Sequence, residues 1–193
     1  MRGGKSIMRA LITVVLLVLF VTPAFGGQAG CVLYTDAAPS SAVAEVTVPD
    51  GFACSSGDSS VGETPEYYLL PSDAGSDVRF LYYTTGRGDP QTLAEAALAS
   101  YSMLYDEFSA GEIHHEETEG LTTLYFDYTC AYPTRTGDAL IYEQTAIAYI
   151  PLGSDTFIAC IASLAFDNSD DYLSTEAMRE FLMFAMNAIE LSE

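Results

Sequence analysis

His114-His115-Glu116-Glu117 is the densest group of side chains in this sequence that can hold a metal or move a proton. Imidazole and carboxylate together bind transition metals. On an extended segment side chains alternate, so His114 and Glu116 share one face and His115 and Glu117 the other. The four residues lack the His-Glu-x-x-His spacing that sets two imidazoles one helical turn apart. A solvated acidic edge strand explains the same residues without a ligand. The carboxylates around them, Glu112 and Glu119, would favour charged imidazole and make that edge sensitive to pH.

A second group is Asp167, Asp170 and Asp171, in Asp-Asn-Ser-Asp-Asp. Oxygen-rich loops bind Ca²⁺, which makes calcium the one cofactor the sequence suggests. The spacing is not that of an EF-hand, because Met178 stands where the closing Glu would fall. Acids placed ahead of a helix also suit the positive end of its dipole. Gly57-Asp58-Ser59-Ser60 resembles the Gly-Asp-Ser opening of one lipase and esterase group. That motif needs a later Asp-x-x-His, and here Gly111 precedes His114 and Glu112 precedes His115 at that spacing. No Gly-x-Ser-x-Gly elbow, phosphate loop or dinucleotide fingerprint is present. The abundant acids leave a carboxylate-dependent extracellular hydrolase as the enzymatic alternative.

The elements that must position these residues follow from periodicity and turn chemistry. Val46-Thr-Val48 alternates and stops at Pro49-Asp50-Gly51, a turn in which proline fixes φ and glycine supplies φ > 0. Cys54 to Pro65 is rich in Ser, Gly and Asp and reads as a loop. Strands are expected over 66–70 and 77–84, joined by a hairpin-type turn from Pro71 to Gly75. Asp89-Pro90 starts a helix, with Asp as cap and Pro at the first position. Its apolar stripe is Leu93, Ala97, Tyr101, Leu104, Tyr105 and Phe108, ending at Gly111. Short connections then predict an antiparallel meander of strands near 112–117, 121–131, 139–150 and 156–166. A last helix carries Leu173, Ala177, Phe181, Phe184, Ala188 and Leu191 on one stripe, widened by Met178, Leu182, Ala185 and Ile189. The order implies an α+β fold, an antiparallel β-sheet flanked by two main helices.

Residues 1–26 have the layout of a secretory signal peptide: Arg2, Lys5 and Arg9, an apolar run from Ala10 to Val21, then small residues. The run is about a dozen residues, against about 20 for a spanning helix. Gly30-Cys31 ends like a lipidation site, but Gln28 stands where that signal needs an apolar residue. Residues 27–44 read as a flexible arm and 45–193 as the folded domain. The chain is expected to work in a secreted or cell-envelope location, with no membrane span once the leader is removed.

The whole chain carries a formal charge of −20. Without residues 1–26 it keeps four arginines, no lysine and all 27 acids, a net charge of −23. Such a surface repels nucleic acid and anionic membrane and suits cations or basic partners. Four cysteines, Cys31, Cys54, Cys130 and Cys160, follow the leader. An even count in an oxidising compartment predicts two disulfides. Three pairings are open, and proximity favours Cys31–Cys54 with Cys130–Cys160.

Val46-Thr-Val-Pro-Asp-Gly-Phe52 resembles the V-x-V-P-x-G-F/W opening of PsbP-like domains. Gln91-Thr-Leu-Ala-Glu-Ala-Ala97 in the first helix and the Gly-led strand Gly120-Leu-Thr-Thr-Leu-Tyr-Phe126 also resemble that family, over about residues 43–191. The family includes the extrinsic photosystem protein, a Ran-binding nuclear import factor and many secreted bacterial proteins. The resemblance implies an α/β/α sandwich that acts by binding and brings no catalytic motif to transfer. The acidity and the four cysteines depart from the intracellular members and argue against nuclear transport. Together these readings predict a non-catalytic binding protein whose partner is a basic protein, an envelope component or a divalent cation.

Overall fold

The computed structural model describes residues 31–35, 38–57, 66–71, 78–105, 107–118, 121–153 and 155–192. The leader over 1–26, Asp58-Ser59-Ser60, the turn after Pro71 and Glu119 lie outside the described residues.

Eleven strands and two helices are described, with a single 3₁₀ turn. The strands are β1 (Cys31–Thr35), β2 (Ala38–Val46), β3 (Phe52–Gly57), β4 (Glu66–Pro71), β5 (Val78–Arg87), β6 (Glu107–Ala110), β7 (His114–Thr118), β8 (Leu121–Pro133), β9 (Leu140–Pro151), β10 (Thr156–Phe166) and β11 (Ile189–Leu191). Helix α1 is Pro90–Ser102 and α2 is Thr175–Met186. The main sheet runs β3-β4-β5-β10-β9-β8-β6, and β7 also pairs with β8. The long strands β8, β9 and β10 form the expected antiparallel meander. A second sheet has the order β1-β2-β11.

Alternation along the strands divides the apolar residues between two faces. On one face Leu124, Phe126, Tyr128, Cys130 and Ile147 pack with Ala94 of α1. On the other, Ala146, Ala148, Ile158, Cys160 and Ala162 pack with Met178, Leu182 and Ala185 of α2. The small sheet shares that second face, where Cys31, Leu33, Ala44 and Val46 meet Leu69, Leu81 and Tyr83. Burying each of the larger side chains stabilises the fold by about 1.5–3 kcal/mol. The Tyr83 hydroxyl donates to the Ala185 carbonyl at 2.9 Å, so the one polar atom of that buried ring is satisfied at the end of α2. The architecture is the expected α+β sandwich, a sheet with a helix on each face.

Several expectations need correction. The segment read as a flexible arm over 27–44 forms, from Cys31 onward, the β1–β2 hairpin, closed by β11 pairing with β2. Its small and polar residues hid the alternation that buries Cys31, Leu33, Ala44 and Val46. The Ser-rich stretch after Cys54 starts in β3, which pairs with β4. The Pro49-Asp50-Gly51 turn is present, with Gly51 at φ +84° and Phe52 N–H donating to the Pro49 carbonyl.

Helix α1 stops at Ser102, so Leu104 lies past its end and Phe108 belongs to β6. The last helix buries Met178, Leu182 and Ala185, while Leu173 and Phe184 from the expected stripe stay exposed. Turning to β11 after Met186 removes Leu191 from the helix altogether. Nor do the acids before α2 cap it. Ser174 is the cap, accepting from Ala177 N–H at 3.2 Å, and Asn168 caps the 3₁₀ turn that holds Asp170 and Asp171.

Of the two favoured disulfides, one is present and one is not. Cys31 and Cys54 are joined, tying β1 of the small sheet to edge strand β3 of the large one. Cys130 and Cys160 are free and buried. Sheet geometry forbids the pair the sequence favoured. Cys130 sits opposite Glu143 on β9, and Cys160 sits opposite Ala148 on the other side of the same strand. The two are therefore two strands apart and displaced by an odd number of residues along β9. An odd displacement places them on opposite faces, far beyond what an S–S bond can span.

Candidate functional site

Strand β7 runs antiparallel to the first half of β8, which sets His114 opposite Tyr125 and Glu116 opposite Thr123. Directly opposed side chains share a face. The His114 ring stacks on the Tyr125 ring, 5.0 Å between centroids and 23° between planes. Two residues on, and on the same face, stands Asp127, opposite Ala146 of β9. The first two turns of α2 pass above this corner of the sheet. Arg179 places its guanidinium carbon 5.2 Å from the centre of the Tyr125 ring. Its Nη2 donates to Glu116 Oε2 at 2.9 Å.

A cleft of about 430 Å³ remains between the sheet and α2, within the range of small-molecule sites. Its floor is Tyr125, Asp127 and Ala146, and its far wall is Thr175, Glu176, Arg179 and Leu182. Ala146 is part of the reason the space exists, since a methyl stands where a longer side chain would reach α2. Gly111 makes room for Asp127: a Cβ there would lie 2.5 Å from Asp127 Oδ1 and force that carboxyl to shift. Gly111 N–H also donates to the Asp127 carbonyl at 2.9 Å.

The electrostatics are mixed. Burial raises the Asp127 carboxyl above its ordinary range, and the His114 charge pulls it partly back. The Arg179–Glu116 pair is about half exposed on both sides. Such a pair contributes about 1 kcal/mol at most, and the cation–π contact adds about 0.5–1 kcal/mol. Arg179 is therefore held in place yet free to exchange its carboxylate partner at little cost. Chemically, the cleft offers one half-buried acid, one exposed acid, one guanidinium, one imidazole and an aromatic floor.

Of the residues singled out in the sequence, His114 lines this cleft and Glu116 flanks it through Arg179. Asp167, Asp170 and Asp171 are exposed around the 3₁₀ turn before α2 and do not line it. Among the described residues no three His, Cys, Asp or Glu side chains come together to hold a metal ion. Tyr125, Asp127, Glu176 and Arg179 were not foreseen. Two signals in the sequence pointed to them: Asp127 is the lone acid inside the apolar run Leu121–Ala131, and Arg179 is the lone base of the last helix.

The opposite face of the sheet holds a second polar group. Glu143 accepts from Tyr132 Oη at 2.9 Å, Thr145 Oγ1 at 2.8 Å and Ser163 Oγ at 3.2 Å. Tyr101, Tyr105, Phe108, Tyr128 and Tyr132 pack beside it with ring centroids 5.0–6.5 Å apart. Burial, with the Glu143 charge second, pushes the Cys130 thiol there up to about 12, which keeps it protonated and unreactive.

This layering of α1, sheet and α2 matches a solved structure. Cyanobacterial PsbP (CyanoP) from Synechocystis superposes with a TM-score of 0.50, over 91% of this chain and 99% of that one, at 9% identity. The fold is PsbP-like. LpqN of Mycobacterium tuberculosis, described as involved in cell envelope biogenesis, superposes at 0.42 over 87% of this chain and 93% of that one, at 18% identity. No family model and no curated protein matches the sequence. At these identities the PsbP-like likeness concerns the fold. Among the described residues no helix is long and apolar enough to cross a membrane.

Proposed function

We propose that this PsbP-like chain is a non-catalytic binding protein of the cell envelope or the exterior, and that the cleft beneath α2 is its binding site. The cleft carries the reading: it sets opposite charges against an aromatic floor in a space of small-molecule size. The leader-type N-terminus and the Cys31–Cys54 disulfide support an oxidising location. The hydrolase alternative asks for two convergent, poorly solvated acids. Asp127 fits that description, whereas Glu176, the second acid lining the cleft, is exposed.

The experiment is a fragment screen by NMR on the mature chain and on Ala146→Leu, which fills the floor. Shifts confined to His114, Tyr125, Asp127 and Arg179, and lost in Ala146→Leu, are expected. Shifts centred on Tyr101 and Tyr128 would move the site to the other face. Turnover of a bound fragment would favour the hydrolase.

The net acidity and the exposed acids Asp167, Asp170 and Asp171, which do not form a three-ligand set, support a second reading, a basic protein surface or a divalent cation as partner. Thermal unfolding with and without millimolar Ca²⁺ at fixed ionic strength tests it. A saturable rise in Tm lost on replacing the three acids supports a cation site, by mass action. A rise no larger than a monovalent salt gives would end that reading.

A further inference from the structure

We propose that the cleft takes a small zwitterion, a dipeptide or a compound of similar length with a free ammonium at one end and a free carboxylate at the other. The inference rests on the cleft being the binding site and names what it recognises. The charges facing the cleft come from three elements: His114 and, beside it, Glu116 on β7, Asp127 on β8, and Glu176 and Arg179 on α2. A simple anion would meet Arg179 but also Asp127 and Glu176. A simple cation would meet those two acids but also Arg179 and His114. A ligand carrying both charges satisfies both sets.

Spacing supports the length. Asp127 and Tyr125 are two residues apart on one strand, about 7 Å, and the Arg179 guanidinium lies over the Tyr125 ring. An extended dipeptide spans about 7 Å, while the two charges of a single amino acid share one α-carbon. The ammonium would lie against Asp127, where burial makes an unpaired carboxylate costly and a cationic partner welcome. The carboxylate would displace Glu116 from Arg179, whose planar fork matches a carboxylate with two parallel hydrogen bonds. Tyr125, Leu182 and the small Ala146 leave apolar room for the ligand's side chains.

The test is calorimetric titration of the mature chain with Ala-X dipeptides covering every side-chain class. The best binder is then repeated as its N-acetyl form and as its C-terminal amide. Saturable binding is expected, with each capped form weaker by about tenfold or more. Asp127→Asn should weaken the free dipeptide and abolish the penalty for N-acetylation. Arg179→Gln should do the same for the amide, and Arg179→Lys, which keeps the charge without the fork, should fall between. Melting curves establish that each variant is folded; if Arg179→Gln is not, Arg179→Lys and the capped ligands decide.

Capped forms that bind as well as the free dipeptide overturn the inference. So does an absence of binding across the panel at millimolar ligand. If fragments still shift His114 and Arg179 in that second case, the cleft remains a binding site for another class. If nothing shifts them, both readings fall together.

Discussion

The two faces of the sheet use polar residues in opposite ways. Beneath α1, Glu143 is surrounded by hydroxyl donors and tyrosine rings that belong to the fold itself. Beneath α2, Asp127 and Arg179 look into open space, and among the described residues Arg179 is tied by an exposed ion pair and a ring contact. A carboxylate whose partners are internal stabilises the fold; one that faces a cleft is available to a ligand. A buried acid in an acidic protein is therefore no guide to function until its donors are counted.

The largest effect that sharpens this contrast is on the closed face. Tyr128, 7% exposed and packed on Tyr101 and Phe108, should cost about 3–5 kcal/mol when changed to Ala. Urea unfolding should show that loss, while the dipeptide affinity of the folded fraction stays unchanged. Cys54→Ser releases the small sheet from β3. Opening a loop of 23 residues should cost about 2–4 kcal/mol, read as a fall in Tm that reducing the wild type reproduces. Glu143→Leu strands the Tyr132 hydroxyl and removes the acceptor that Thr145 and Ser163 share, leaving those two hydroxyls 2.9 Å apart. It should cost about 1–3 kcal/mol, again with no effect in the cleft.

The smallest effect is on the open face and depends on pH. The folded-state value of Asp127 is raised, so the folded chain holds that proton more tightly than the unfolded chain does. Its contribution is favourable at low pH and is lost as pH rises through the raised value. Asp127→Asn should therefore gain stability relative to wild type on going from acid to neutral pH. Melting curves across that window check the sign, and an opposite trend would mean that Asp127 has a cationic partner in the free protein.

The parts of this fold that were legible in the sequence are those where one strong pattern acts alone. Strands β8, β9 and β10 are long, aromatic and β-branched, and their short turns leave only an antiparallel meander. The Asp89-Pro90 start of α1 is a local signal and held, with Asp89 Oδ2 accepting from Thr92 N–H at 2.8 Å. The end of the same helix was misplaced, because Tyr105 and Phe108 suit a helical stripe and a strand equally well. The small sheet was invisible because its β1–β2 hairpin is small and polar in sequence and is closed by β11, a strand remote from it. The free state of Cys130 and Cys160 could not be read before the register of β9 was known. His114 was singled out for its neighbours in sequence, yet its partners in space are Tyr125 and Asp127, which strand pairing alone brings to it.

The pairing of β11 with β2 has a consequence for the order of events as the chain emerges. A polypeptide delivered N-terminus first presents β1, β2 and both linked cysteines before the meander and α2. The outer edge of β2 then waits, its backbone donors and acceptors unpaired, until Ile189–Leu191 follow α2. Val43 accepts the N–H of Ser192 at 3.0 Å, the last stitch of that seam. A chain lacking Ile189–Leu191 would keep the residues of its meander and cleft lining but carry an open strand edge, a template for pairing with another copy. Ile189–Leu191 thus act as a seal on the open edge of β2.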